Sequence, residues 1–269
     1  MNTSSMNNMR KIAFIIGSGL VDMIGDMFNT ITYHEKGENS QGIVSPYYSC
    51  PIGNTEFLFM LRHGKSINKQ PEISPATLVK EKVNEGNIWF FHEEKVEGIY
   101  AFSAVGWLDE MPLASERSFV VPTSYIRGIQ SSGPHSFGHL AKKLHTGGDN
   151  PFDYNLRLEF ISAIKASEGS VIENGTYIYN GGDCFETKEE ITMLDNMTKG
   201  IPNRVVGMTT VPEIILANQM QIPYAVLCSP VNPGNGLGGE VSHDVTIDVM
   251  DKANPFLIEI IGTLIDYAK

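Results

Sequence analysis

At 269 residues the chain is long enough for a sizeable core and short enough to form one α/β domain. Thirty-one acidic against 20 basic side chains, for a net charge of -11, argue against a nucleic-acid groove, which needs clustered Lys and Arg. Cys50, Cys184 and Cys228 are widely separated and have no CxxC spacing, so neither a disulfide framework nor a zinc site is indicated, and the pattern fits a reducing cytoplasm.

Residues 1–8, rich in Ser, Asn and Met, read as a frayed leader before a single domain over 9–269. The run KIAFIIGSGL after Met9-Arg10 has the outline of a signal peptide. Asp22 and Asp26 follow it without a small-x-small cleavage site, and no uncharged apolar run reaches membrane-spanning length, so a soluble chain with no membrane partner is expected. Strands are expected at 11–16, 56–61, 98–103, 118–121, 175–179, 205–207 and 223–228, where β-branched and aromatic runs are punctuated by Gly. Helical patterns fall at 78–94, 155–168, 188–196, 211–220 and 243–267. Strands apolar on both faces, interleaved with amphipathic helices, predict a central sheet covered on two sides. The Pro/Gly-rich stretches 131–138 and 231–239 are loops within this pattern.

Four loops that follow apolar strands carry Gly or hydroxyl groups, the setting in which backbone amides converge on a phosphate. They are Gly17-Ser18-Gly19, Arg62-His63-Gly64, Ser103-Ala104-Val105-Gly106 and Met208-Thr209-Thr210. A tight turn explains the GxG equally well, and a solvated strand end explains the Arg-His pair, so their number and order carry the inference rather than any one of them. In NGGDCFETKEEITM, Asn180 to Met193, an aromatic ring precedes a carboxylate at a strand-to-helix turn. Phe185 can stack on a flat heterocycle and ionised Glu186 can only accept hydrogen bonds, a pair suited to a purine.

Taken in order, GSG at Gly17, RHG at Arg62, SAVGWL at Ser103, GGDCFET around Phe185, VGMTTVPE at Val206 and IPYAVLC leading to Asn232 resemble the trimeric purine nucleoside phosphorylase and methylthioadenosine phosphorylase family. The resemblance spans Lys11 to about Tyr267. It implies a three-layer αβα fold with a mixed, partly barrel-like sheet, and a homotrimer or dimer of trimers with sites near subunit boundaries. It also implies phosphorolysis of an N-glycosidic bond, with inorganic phosphate as co-substrate and no metal or organic cofactor. Carried over by position, Ser18, Arg62, His63, Thr209 and the Ala104 amide would hold phosphate, and Met208 would lie against the ribose. Phe185 would pack on the base, Glu186 and Asn232 would read its edge, His243 would meet the 5'-hydroxyl, and His145 would come from a neighbouring subunit. Met208 is as readily core packing, and His243-Asp244 as readily the start of a helix capped by Ser242. His34, His92, His135 and His139 have no assigned role.

A 6-oxopurine carries a hydrogen on N1 that Glu186 can accept, whereas adenine N1 is an acceptor and would face carboxylate lone pairs. Asn232 offers an acceptor and a donor together, suiting N7-H and O6, while Asp at this position would suit a 6-amino group. The expected activity is therefore phosphorolysis of inosine-like and guanosine-like nucleosides to free base and α-ribose 1-phosphate. Phosphorolysis of S-methyl-5'-thioadenosine or S-methyl-5'-thioinosine is the alternative, and a non-catalytic purine-binding protein is a third. The chain departs from the resemblance at Asp183, where Pro is usual, at Trp107 after Gly106, and in a longer segment over 65–82.

Overall fold

The structure, a computed structural model, describes residues 9–17, 20–64, 73–109, 116–128, 135–238 and 241–269. The strands are β1 (Arg10–Ile16), β2 (Thr32–His34), β3 (Gly37–Asn39), β4 (Gly42–Val44), β5 (Tyr47–Ile52), β6 (Thr55–Leu61), β7 (Gly98–Trp107), β8 (Ser118–Arg127), β9 (Ser170–Tyr179), β10 (Arg204–Gly207) and β11 (Tyr224–Pro233). The helices are α1 (Val21–Met27), α2 (Pro75–Lys80), α3 (Val83–Glu93), α4 (Tyr154–Ala166), α5 (Lys188–Met197), α6 (Thr210–Met220) and α7 (His243–Ala268).

Nine strands form one mixed sheet in the order β10-β9-β8-β11-β7-β1-β6-β5-β2. Strand β10 returns to pair antiparallel with β7, matching Val205 to Trp107 and Val206 to Gly106, so β7, β11, β8, β9 and β10 close into a ring. This closure is the barrel-like half expected above, and it removes what would otherwise be an exposed sheet edge.

The period-2 alternation of the strands divides the core between two faces. On β1, Ile12, Phe14 and Ile16 join one cluster with Phe57, Phe59, Phe160, Leu257 and Ile261, so that α4 and α7 cover this face. Ala13 and Ile15 point the other way, into a cluster with Leu58, Met60, Ile88, Phe91, Val211 and Ile214 beneath α3 and α6. Helix α5 packs separately, with Ile191 and Leu194 against Ile178 and Val206 of the ring. The arrangement is the expected three-layer αβα fold.

Several expectations need correction, and the strands expected at 98–103, 118–121 and 175–179 each run to ten residues as β7, β8 and β9. The helical pattern over 78–94 is two helices, because Lys82 takes the left-handed conformation (φ 54°), which an α-helix cannot accommodate. The second of these packs against the β3-β4 hairpin so closely that a Cβ at position 86 would lie 2.1 Å from the Ile43 carbonyl oxygen, and only Gly86 allows the approach. The strand expected to stop at Cys228 runs on to Pro233, because the segment pairs with β7 through a bulge between Pro230 and Asn232 that accommodates Pro230. Helix α1 and strands β2 to β5 were not expected, being short or weakly patterned. No helix among the described residues is long and apolar enough to cross a membrane.

Candidate active site

Strands β1, β6, β7 and β11 run parallel, so their carboxyl ends meet at one edge of the sheet. A cavity of about 460 Å³ opens there, the position where ligands bind in open α/β sheets. Gly17 after β1, Arg62 and His63 after β6, Ala104 on β7, Met208 and Thr209 after β10, Phe185 and Glu186 after β9, and Asn232 on β11 all line it. Residues scattered over more than two hundred positions of sequence thus meet in one space. Ser18 lies outside the described residues. His243 is the first residue of α7, but its side chain lies outside the described set. His145 is exposed and is not part of the cavity lining of its own chain.

The Arg62 fork is engaged differently from a simple anion clamp. The side chain is 2% exposed. Its Nε donates to Glu213 Oε1 at 2.5 Å, one Nη to Glu213 Oε2 at 3.0 Å, and the other Nη to the Phe102 carbonyl at 2.7 Å. Tyr224 donates its hydroxyl to the same Glu213 Oε2 at 2.6 Å. Burial works to lower the guanidinium pKa, but the adjacent Glu213 carboxylate outweighs it and the arginine is held firmly cationic. Of five N–H groups, two remain by count for a ligand. His63 Nδ1 lies 2.8 Å from the Ile73 carbonyl, and since a carbonyl only accepts, Nδ1 carries the proton. Thr209 stands at the N-cap of α6 with no cap bond from its side chain, and its amide reaches the Tyr177 hydroxyl at 3.4 Å.

The turn after β9 sets the other wall. Thr187 caps α5 in a reciprocal box: Glu190 N donates to Thr187 Oγ1 at 3.1 Å, and Thr187 N to Glu190 Oε2 at 2.7 Å. This sets the start of α5 directly after Phe185 and Glu186. Phe185 is 40% exposed, an aromatic surface without core packing, whereas Glu186 is buried. Asn180 Nδ2 donates to Glu186 Oε1 at 3.1 Å, and Asn235 Nδ2 to the Glu186 carbonyl at 3.2 Å. Burial pushes the Glu186 carboxyl pKa up, only partly offset by its own backbone amide and Asn180. Asn232 sits just past the β11 bulge, buried, with Nδ2 donating to the Pro233 carbonyl at 2.7 Å. One N–H and the carbonyl oxygen of its amide remain by count. A Cβ on Gly106 would lie 3.3 Å from that Nδ2 and 3.1 Å from Val206 Cγ1, so the glycine makes room for Asn232.

Residues 11–266 match the family described as the Phosphorylase superfamily. The chain belongs to that superfamily. The phosphorylase is 27% identical over 271 residues to the 6-oxopurine nucleoside phosphorylase of Pyrococcus furiosus, covering 94% of this chain and 91% of the relative. It is 29% identical over 257 residues to a probable S-methyl-5'-thioinosine phosphorylase of Methanothermobacter thermautotrophicus, covering 94% and 83%. A methylthioadenosine phosphorylase from an antarctic soil metagenomic library shares its fold, with a TM-score of 0.79 at 23% identity over 97% of this chain and 86% of that one. The phosphorylase falls in the purine nucleoside and methylthioadenosine phosphorylase family, and its activity is that of a nucleoside phosphorylase.

Several residues of the phosphorylase that line the cavity or, like Glu213, bond a lining side chain carry little or no signal in the sequence. Glu213 lies within VGMTTVPE, and a lone carboxylate in the otherwise uncharged helix TVPEIILANQM signals a buried partner. Asp183 stood out only as a departure. Thr246, Ile247, Met250 and Asp251 of α7 reach the cavity with no local motif to announce them.

Proposed function

We propose that the phosphorylase cleaves 6-oxopurine nucleosides such as inosine and guanosine. Inorganic phosphate enters at C1' as the glycosidic bond breaks, giving the free base and α-ribose 1-phosphate. The observation that carries this reading is the presence of Glu186 and Asn232, both buried, on one cavity. Glu186 accepts N1-H, and Asn232 meets O6 and N7 as negative charge grows on the departing base. Phe185 covers the base, and Met208 lies on the ribose. Arg62 through its two remaining N–H groups, His63, Thr209, Ser18 and the Ala104 amide position phosphate, which lowers the barrier by prior placement. His243 takes the 5' end. In a homotrimer or dimer of trimers, His145 of one copy would complete the site of the next.

A second reading, S-methyl-5'-thioinosine phosphorolysis, is favoured by Ile247 and Met250, which bring apolar surface from α7 to the cavity. It shares the base chemistry and differs only at the 5' end. Phosphate-dependent base release from inosine, guanosine, adenosine, S-methyl-5'-thioadenosine and S-methyl-5'-thioinosine separates these readings. Turnover of adenosine without inosine or S-methyl-5'-thioinosine would overturn the base assignment, and purine binding without turnover would point to a non-catalytic protein.

A pH dependence follows from Glu186. Its ionised form accepts N1-H in a charge-assisted bond that protonation weakens, and burial raises its pKa. The kcat/KM for inosine should therefore fall on acidification at a higher pH than an ordinary carboxylate would dictate, and Glu186→Gln should abolish that limb along with most of the activity. Retention of the limb in the glutamine variant would assign it to another group.

A further inference from the structure

We propose that Asp183 is a positioning residue that ties the base-binding turn to the phosphate-side loop, so that filling one half of the cavity tightens the other. The inference rests on the proposed division of the cavity into base and phosphate halves. Asp183 lines the cavity two residues before Phe185, and its two carboxylate oxygens leave the turn to meet a distant segment. Oδ2 accepts from Ser74 Oγ at 2.9 Å and Oδ1 from the Ala76 amide at 2.8 Å, both at the start of α2. Ile73, immediately before, is bonded twice to His63: its amide donates to the His63 carbonyl at 2.7 Å, and its carbonyl receives His63 Nδ1 at 2.8 Å. At the other end, Glu186 is held through Asn180 and Asn235.

A continuous chain of short bonds therefore runs from His63 through Ile73, Ser74 and Asp183 to the turn bearing Phe185 and Glu186. His63, Ile73, Ser74, Asp183, Phe185 and Glu186 all line the same cavity. Helix α2 has only six residues, too few to hold its own direction, and its first turn takes its position from such external contacts. Asp183 supplies two of them, both at the exposed start of the helix. Proline, usual at position 183 in the resemblance noted above, accepts no such bonds from its side chain. Ordering of the 183–186 turn by a bound base is thus passed to Ile73 and His63, and the free energy of ordering is shared between the two ligands.

The test is phosphate titration by calorimetry, with and without saturating hypoxanthine, on the native protein and on Asp183→Ala, Asp183→Asn and Ala76→Pro. Hypoxanthine should tighten phosphate by about five-fold or more in the native protein, within the usual range of coupling between sites. In Asp183→Ala the factor should fall to about two-fold or less. Asp183→Asn, which keeps one acceptor, should restore part of it. Ala76→Pro, which deletes a single donor where a helix tolerates proline, should give an intermediate value. If Asp183→Ala does not fold, the Asn and Pro variants decide. Absence of coupling in the native protein, or undiminished coupling in the variants, would overturn the proposal. If adenine binds and hypoxanthine does not, the base assignment fails, while the same titrations run with adenine still decide the role of Asp183.

Discussion

Glu213→Ala is expected to cost about 3–5 kcal/mol of stability, the usual penalty for leaving one member of a buried ion pair without its partner. Arg62 would keep its charge at 2% exposure with, among the described residues, only the Phe102 carbonyl as an acceptor, and the Tyr224 hydroxyl would lose the acceptor that holds it. Arg62→Ala should do comparable damage by stranding Glu213, so a loss of phosphate affinity in that variant alone says little about contact with phosphate. The informative variant is Arg62→Met with Glu213→Leu, since exchanging a buried pair for apolar side chains is often neutral or stabilising. Urea unfolding of the three variants, followed by phosphate titration of the double variant, separates the two roles. A double variant that is stable and binds phosphate normally would remove Arg62 from the phosphate site. A Glu213→Ala chain as stable as the native protein would show that the pair is not what holds the arginine.

Asn232→Asp is expected to move the inosine-to-adenosine ratio of kcat/KM toward adenosine by about two orders of magnitude or more, since a site that leaves a buried polar group mismatched discriminates strongly. The side chains are isosteric, so the β11 bulge and the space made by Gly106 are preserved. The substitution also sets a carboxylate oxygen against the Pro233 carbonyl in place of the amide donor, which should lower stability by about 1–3 kcal/mol. Steady-state kinetics on both nucleosides, with thermal unfolding alongside, read the two effects separately. An unchanged ratio with the expected stability loss would mean that Asn232 supports the bulge and does not read the base.

The nine-stranded sheet shows where local pattern suffices. Strands β1 and β6 are long apolar runs bounded by Gly and Asn, and their alternation alone assigns Phe14 and Phe59 to one face and Ala13 and Met60 to the other. Strand β11 shows where it fails. Pro230 is a local stop signal, overruled by pairing with β7 through a bulge that no property of the segment itself specifies. The left-handed Lys82 is similar, since its helix-compatible neighbours give no warning of the close packing between α3 and the β3-β4 hairpin.

The sequence by itself determined a central sheet covered on two sides and the candidate loops, because hydrophobic period and donor and acceptor chemistry are properties of residue type; the αβα class and the proposed roles of Glu186 and Asn232 came from the family resemblance. Tertiary structure alone decided what those residues face. It closed β10 onto β7, brought α7 to the cavity, and committed two of the five Arg62 N–H groups to Glu213, 151 positions away. It also gave Asp183, an apparent irregularity in its motif, two partners at the start of α2. Each of these is a contact between segments remote in sequence, whose energy comes from burial and from satisfying a particular polar group, and no local pattern records which distant group will be there.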